Sequence, residues 1–175
     1  DRLVLVGHSS GADAVALLAL QLVQPHTLDT VGAHVAAVLM VTPPDYVRVP
    51  HLPAPAGVVV AGCDGDVGRA VGVRLHGRLA ERPGMPLLLW SVEGAVHNAL
   101  NDAWRDEVKD GGIAVCPPAA KMGLTEQREL LGQLAGDWLT AMTARTPIPP
   151  WVLGAAPPPA AAGGGAVRMQ VTYRP

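Results

Sequence analysis

The chain contains no phenylalanine, and its other aromatic residues are only four Trp and two Tyr. Lysine is almost missing too. Lys109 and Lys121 stand against eleven Arg, and these 13 basic groups are outnumbered by 15 acidic ones, for a formal net charge of −2. A protein that grips nucleic acid neutralises phosphates with a local excess of cations, so this balance argues against nucleic-acid binding. Long apolar runs are absent. The longest, Ala14 to Leu20 and Val35 to Val41, have seven residues each, whereas a bilayer span needs about 20. No transmembrane segment is expected. With Cys63 and Cys116 alone, at most one internal disulfide can form. The first residue is Asp1, directly ahead of an apolar strand-like run and with no charged or apolar leader before it. The expectation is a chain that starts inside a larger unit. Its abundance of Ala, Gly, Pro and Val reads as coding bias and carries no mechanism.

What is present is an alternation of short apolar runs with longer helical stretches, the pattern of a parallel sheet covered on both faces. Leu3 to Val6, Val35 to Val41, Val58 to Ala61 and Pro86 to Trp90 are continuous apolar runs bounded by Gly, Pro or polar residues. They predict four parallel strands. Ala12 to Val23 is Ala- and Leu-rich with almost no charge and predicts a helix buried against the sheet. Pro43 to Pro55 holds five prolines in thirteen residues, which precludes helix and predicts a long loop of the kind that borders sites. Gly68 to Ala80 has the Arg spacing of a half-exposed helix. Thr125 to Thr143 is the clearest amphipathic segment, with Leu130, Leu134, Trp138 and Met142 on one face and Thr125 as N-cap. The expected organisation is a compact unit over 1–146 and a Pro/Ala/Gly-rich linker over 147–166. The alternating stretch Val167 to Tyr173 then opens a possible further β module over 167–175, without a partner in view.

The sharpest local signal is Gly7-His8-Ser9-Ser10-Gly11, a G-x-S-x-G run directly after a strand and directly before a helix. A strand that reverses abruptly into a helix exposes its apical residue, here Ser9, and small residues at Gly7 and Gly11 let the chain pack that tightly. The helix N-terminus directs free amides at the same point, so the Ser10 N–H is a candidate oxyanion donor. A Gly/Ser turn before a helix is also an ordinary cap, and the strand and helix flanks are what favour the nucleophile. A serine nucleophile needs a base, and a histidine base needs an acceptor to fix its tautomer. The third strand runs into Gly62-Cys63-Asp64-Gly65-Asp66-Val67 and the fourth into Glu93-Gly94-Ala95-Val96-His97-Asn98. An acid and a histidine therefore follow successive strand ends, the edge at which parallel sheets carry sites. Asp64 is nearer its strand and Asp66 is the reserve; both can also be turn formers, and no further oxygen ligands are spaced around them for calcium. His97 can be a satisfied loop histidine, but His8, His26, His34, His51 and His76 do not follow a strand in the same way.

These three segments resemble the α/β-hydrolase superfamily: the G-x-S-x-G run its nucleophile elbow, the Asp64 turn its acid turn, and Gly94 to Asn98 its histidine loop. The Gly-Ala-x-His pattern and the separations of 55 and 33 residues between Ser9, Asp64 and His97 are similar to the dienelactone hydrolase, chlorophyllase and bacterial cutinase-like branch. Over about Asp1 to Arg145 the resemblance implies a doubly wound, mostly parallel α/β sheet, truncated at its N-terminal side. It implies Ser9, Asp64 and His97 as nucleophile, acid and base of a carboxylic ester hydrolase. In that family the nucleophile follows the fifth of eight strands and a second oxyanion amide comes from a loop after the third, for which this chain has no counterpart. An aromatic often follows the sixth strand; the corresponding segment here is Thr42 to Tyr46.

A Cys63–Cys116 bridge is expected, because it would pin the acid turn, and with it a secreted or extracytoplasmic location; two buried thiols are the alternative. Trp90, Trp104 and Trp138 read as core or pocket wall, and neither a cofactor nor a metal is expected. The substrate is then a small-molecule or lipid-like ester. An acyltransferase or thioesterase using the same triad is the nearest variant. A non-catalytic binding or scaffold domain is the rival from another class.

Overall fold

The computed structural model describes residues 2–23, 34–81, 85–100, 116–117, 120–159 and 169–174. His26, Trp104, most of the loop before Cys116, and Gly163 to Val167 lie outside them. The elements are β1 (Arg2–His8), α1 (Ser10–Leu22), β2 (His34–Val41), β3 (Ala56–Ala61), α2 (Arg69–Leu79), β4 (Leu87–Val92), a 3-10 turn (His97–Leu100), α3 (Leu124–Ala144) and β5 (Met169–Arg174). They build a five-stranded sheet in the order β1-β2-β3-β4-β5, in which the first four strands are mutually parallel and β5 is antiparallel to β4.

The absence of polar alternation in the central strands follows from burial on both faces. Leu39, Val41, Val59, Ala61, Leu88, Trp90 and Val92 point into one cluster with Leu130, Leu131, Leu134 and Trp138 of α3. Their neighbours Val38, Met40, Val58, Val60, Leu87 and Leu89 point the other way, against Ala12, Ala16 and Ala19 of α1 and Leu75 and Leu79 of α2. The chain is therefore α/β, with helices on both faces. Trp90 and Trp138 meet edge to face at a centroid distance of 5.5 Å, a favoured geometry for aromatic pairs. No described helix is long and apolar enough to cross a membrane.

The structure departs from the sequence expectations in several places. α1 starts at Ser10 rather than Ala12 and is not buried all round. An alanine stripe faces the sheet, while Leu17 and Leu18 lie on the far side, each 39% exposed. β1 pairs only with β2 among the described strands, and its Val4 and Val6 are 38% and 51% exposed. Thr125 is not the cap of α3. Gly123 takes that position in an extended conformation without a side-chain bond, and its carbonyl accepts from the Gln127 amide at 2.9 Å.

The stretch expected to be linker from residue 147 contributes to the core. Trp151 and Val152 are buried in the α3-side cluster, and Ile148 and Leu153 pack against it. The Trp90 indole N–H donates to the Val152 carbonyl at 2.8 Å, and the Trp151 indole N–H donates to Asp137 at 2.9 Å. Prolines remove amide donors but leave the neighbouring apolar side chains able to bury. The alternating strand also finds a partner, since β5 pairs with β4 from Leu87↔Arg174 to Val92↔Met169.

Because Trp151 is buried in the core, Trp151→Ala destabilises the folded chain by about 3 kcal/mol. A linker substitution stays within about 0.5 kcal/mol. Chemical denaturation of the two proteins separates these outcomes.

Candidate active site

β1 is followed by a residue with an uncommon backbone. Ser9 has φ 54 and ψ −129, outside the regions ordinarily open to a side-chain-bearing residue, so the surrounding bonds must hold it there. Its amide donates to the Val41 carbonyl at the end of β2 at 2.9 Å, and its own carbonyl accepts from the Ala12 amide at 2.8 Å. A Cβ on Gly7 would lie 2.1 Å from the Gly11 carbonyl oxygen, so only glycine fits there, whereas a Cβ on Gly11 has nothing within 4 Å. The close packing expected of both glycines therefore falls on Gly7 alone. Ser10 is the first residue of α1, and first-turn amides have no acceptor within their own helix. Its N–H is thus available beside Ser9.

The acid turn follows β3. Gly62 donates to the Val92 carbonyl and Cys63 to the Ala95 carbonyl, each at 2.8 Å, which fixes this turn against the end of β4. Asp64 and Asp66 then diverge. Asp64 Oδ1 accepts from the Asp66 and Val67 amides at 2.9 and 2.8 Å, while Oδ2 lies 2.9 Å from His97 Nδ1. Asp66 instead accepts from the Asn98 side chain at 2.7 Å. The structure thus brings Asp64, and not the reserve Asp66, to His97. On the other side of the ring, His97 Nε2 lies 2.9 Å from Ser9 Oγ.

The Asp64 and His97 side chains are only 2% and 3% exposed. Burial pushes the Asp64 pKa up, but the bonds from His97 and from the Val67 and Gly68 amides outweigh it, leaving the carboxyl below its ordinary value. An ionised carboxylate can only accept, so Nδ1 of His97 carries the ring proton and Nε2 faces the Ser9 hydroxyl as an acceptor. Because the folded pKa is depressed, this site contributes stability above the ordinary aspartate range. That contribution is lost as pH falls through the lowered pKa.

The histidine loop is held from three directions. Gly94, at φ 74, accepts from the Met122 amide at 2.7 Å, and a Cβ there would meet the Ala120 carbonyl at 2.7 Å. Gln127 of α3, 2% exposed, accepts from the Val96 amide at 2.9 Å and donates to the Val96 carbonyl at 2.8 Å. His8 Nε2 donates to the His97 carbonyl at 2.8 Å. Sequence reasoning did not identify Gln127. Its signal is a polar residue three before Leu130, on the stripe that α3 buries.

Asp13 of α1 was also missed. It is 7% exposed and accepts from the Asp45 and Tyr46 amides at 3.2 and 2.8 Å, fastening the proline-rich loop behind the elbow. Arg78 of α2 grips the Asp45 carboxylate with both terminal nitrogens, one at 2.7 Å. Tyr46 itself is 79% exposed on that loop.

Cys63 and Cys116 form a disulfide. Cys63 is buried with Val96 and Ala99, and Cys116 and Leu124 pack against that group, so the bridge joins the acid turn to the approach of α3. A cavity of about 800 Å³ lies at the opposite edge of the sheet, bordered by Arg2, His34, Val35, Met85, Met142 and Arg145. None of Ser9, Asp64 and His97 lines it. No protein-family model matches the chain, and no curated protein matches it.

With a sequence separation of 53 residues, the bridge contributes about 4 kcal/mol on the chain-entropy treatment. Replacing both cysteines by alanine lowers the denaturation midpoint accordingly, and intact mass under non-reducing conditions shows no free thiol. The two glycines of the elbow also part company. Gly7→Ala destabilises by more than about 2 kcal/mol, whereas Gly11→Ala stays within about 1 kcal/mol of the parent. Equal responses in melting experiments would overturn this reading of the elbow.

Proposed function

We propose that this chain is a serine hydrolase of the α/β-hydrolase type, cleaving a carboxylic ester through an acyl-enzyme. The observation that carries the reading is the continuous contact from Ser9 Oγ to His97 Nε2 to Asp64 Oδ2, with both steps at 2.9 Å, built on the positive-φ residue that joins a parallel strand to a helix. A serine–histidine–carboxylate line, here with its histidine and carboxylate buried and its serine half-buried, is the arrangement that makes a hydroxyl nucleophilic at neutral pH. The parallel strands and the helices on both faces support the α/β part of this reading.

In the proposed mechanism His97 Nε2 accepts the Ser9 proton as Oγ attacks the ester carbonyl carbon. The Ser10 amide, at the N-terminus of α1, donates to the oxygen on which negative charge develops. His97, now doubly protonated and facing ionised Asp64, returns its proton to the departing alcohol and leaves Ser9 acylated. Water, deprotonated by the same Nε2, then attacks the acyl carbon; the C–Oγ bond breaks as Nε2 returns that proton to Ser9 Oγ, releasing the acid and restoring the free serine. Asp64 keeps the imidazole in one tautomer throughout and remains ionised, consistent with its lowered pKa. The proposed substrate is a small-molecule or lipid-like ester. A disulfide beside the acid turn suits an oxidising compartment.

A fluorophosphonate probe is expected to label Ser9 in the folded chain and to leave Ser9→Ala unlabelled. Asp64→Asn keeps the shape but presents the wrong donor to Nδ1, and lowers kcat on an activated ester by about three to four orders of magnitude. Asp66→Asn changes it by less than about threefold, a change below about 1 kcal/mol. Failure of the folded parent to label favours the non-catalytic scaffold; acyl transfer to an added alcohol in preference to water favours the transferase variant.

A further inference from the structure

We infer that His8 is a positioning residue for His97, a neutral hydrogen-bond donor that fixes the main chain of the proposed base from the elbow itself; this rests on the serine-hydrolase reading above. The residue before Ser9 is a side chain that a G-x-S-x-G pattern leaves unspecified. Here it reaches across the site. His8 Nε2 lies 2.8 Å from the His97 carbonyl oxygen, and the two rings pack with centroids 4.9 Å apart at 48°.

The geometry fixes the chemistry of this contact. A carbonyl oxygen can only accept, so Nε2 of His8 must carry its proton, and the ring fills this role while neutral. The groups that face it are His97, Asp64 and Asp66. Burial of the His8 ring, the dominant influence, lowers its pKa despite the opposing bond to the His97 carbonyl and the pull of the two carboxylates. The neutral donor is therefore the form present around pH 7. A second cation 4.9 Å from the His97 ring would instead oppose the imidazolium that forms during acyl transfer.

The contact also completes a main-chain clamp. Gln127 already engages both the amide and the carbonyl of Val96. His8 engages the next carbonyl in the chain. Three successive peptide groups are thereby held, two from α3 and the third from the segment that carries Ser9. The His97 ring is left with rotation about its own side-chain bonds, and the bond to Asp64 Oδ2 restricts that. Because His8 and Ser9 are adjacent, a shift of the elbow carries the base with it. The 2.9 Å separation of Oγ and Nε2 is thus tied to the elbow by a second route besides their own bond.

The test compares His8→Gln, which keeps an N–H donor, with His8→Leu, which fills the space without one, in the full chain. Two readouts are used. The first is the second-order rate of fluorophosphonate labelling, with kcat and KM on an activated ester. The second is the downfield proton signal of His97 Nδ1–H, which reports the His97–Asp64 bond whether or not Ser9 reacts. His8→Leu is expected to lower kcat and the labelling rate about tenfold, with KM within about twofold, since misplacing a catalytic group by a fraction of an ångström acts on the chemical step. His8→Gln is expected to recover most of that loss. The Nδ1–H signal broadens in His8→Leu and persists in His8→Gln.

Wild-type rates and an unchanged signal in His8→Leu overturn the inference. So does an equal loss in both variants, which assigns the effect to ring volume. An unlabelled wild type overturns the serine-hydrolase reading instead, and the proton signal then decides the role of His8 alone.

Discussion

The main-chain ladder does not stop where the strands stop. Ser9, one residue past β1, donates to the Val41 carbonyl; Thr42, one past β2, donates to Val59; and Gly62, one past β3, donates to Val92, at 2.9, 2.8 and 2.8 Å. These three bonds carry the register of the parallel sheet into the turns that hold the polar side chains. Ser9 directly, and Asp64 through Gly62, are therefore located relative to a neighbouring strand by backbone geometry rather than by a flexible loop. Ser9 depends on this most. Positive φ at a side-chain-bearing residue is unfavourable by roughly 1–3 kcal/mol, and the bond to Val41, together with the absence of a side chain at Gly7, makes the conformation the one that fits. Thr42, at φ 47, is held at the next strand end by the same device.

Asp64 and His97 set the electrostatic side of the same problem. A nearly dry carboxylate is unfavourable by several kcal/mol unless its oxygens are satisfied. Asp64 meets that condition with two amides of its own turn on one oxygen and the His97 ring on the other. The turn that follows Asp64 thus does two things at once: it supplies local donors and it leaves the outer oxygen pointing at the histidine loop. Asp66 lies one step further round that turn and faces Asn98, at the exposed rim. The difference between the two carboxylates is set by turn geometry, although their residue type and their distance from the strand are nearly the same.

The legible parts of this molecule were those in which local pattern and tertiary demand coincide. Four apolar runs marked four parallel strands, because a strand buried on both faces has no polar alternation to hide it. Ser9, Asp64 and His97 were marked by position, each just after a strand. What escaped was set by contacts between segments distant in sequence. Gln127 and Asp13 are polar residues on buried helix stripes; periodicity registers them as imperfections, and only the opposing peptide groups of Val96, Asp45 and Tyr46 give them a partner. Trp151 and Val152 sit among prolines, whose composition suggested a linker, yet the Trp90 indole and Asp137 satisfy the polar groups that such a segment must bury. The alternation over Val167 to Tyr173 correctly suggested a strand. It could not name β4, because pairing depends on an edge that no local pattern reveals.

The same distinction explains how the site is divided between backbone and side chains. The strand ends bring three segments into register, but register alone leaves turns free to tilt, and a displacement of about 1 Å takes a 2.9 Å contact out of hydrogen-bond reach. That freedom is restricted by groups from the three described helices. Asp13 of α1 and Arg78 of α2 fasten the loop after β2; Gln127 of α3 fastens the histidine loop; the bridge at Cys63 fastens the acid turn to the chain just before α3. Each helix therefore contributes an apolar stripe to a core and one polar group to the carboxyl edge of the sheet. Loss of helix packing would release a site turn as well as expose apolar surface, so stability and the geometry of the Ser9–His97–Asp64 line are coupled through individual side chains.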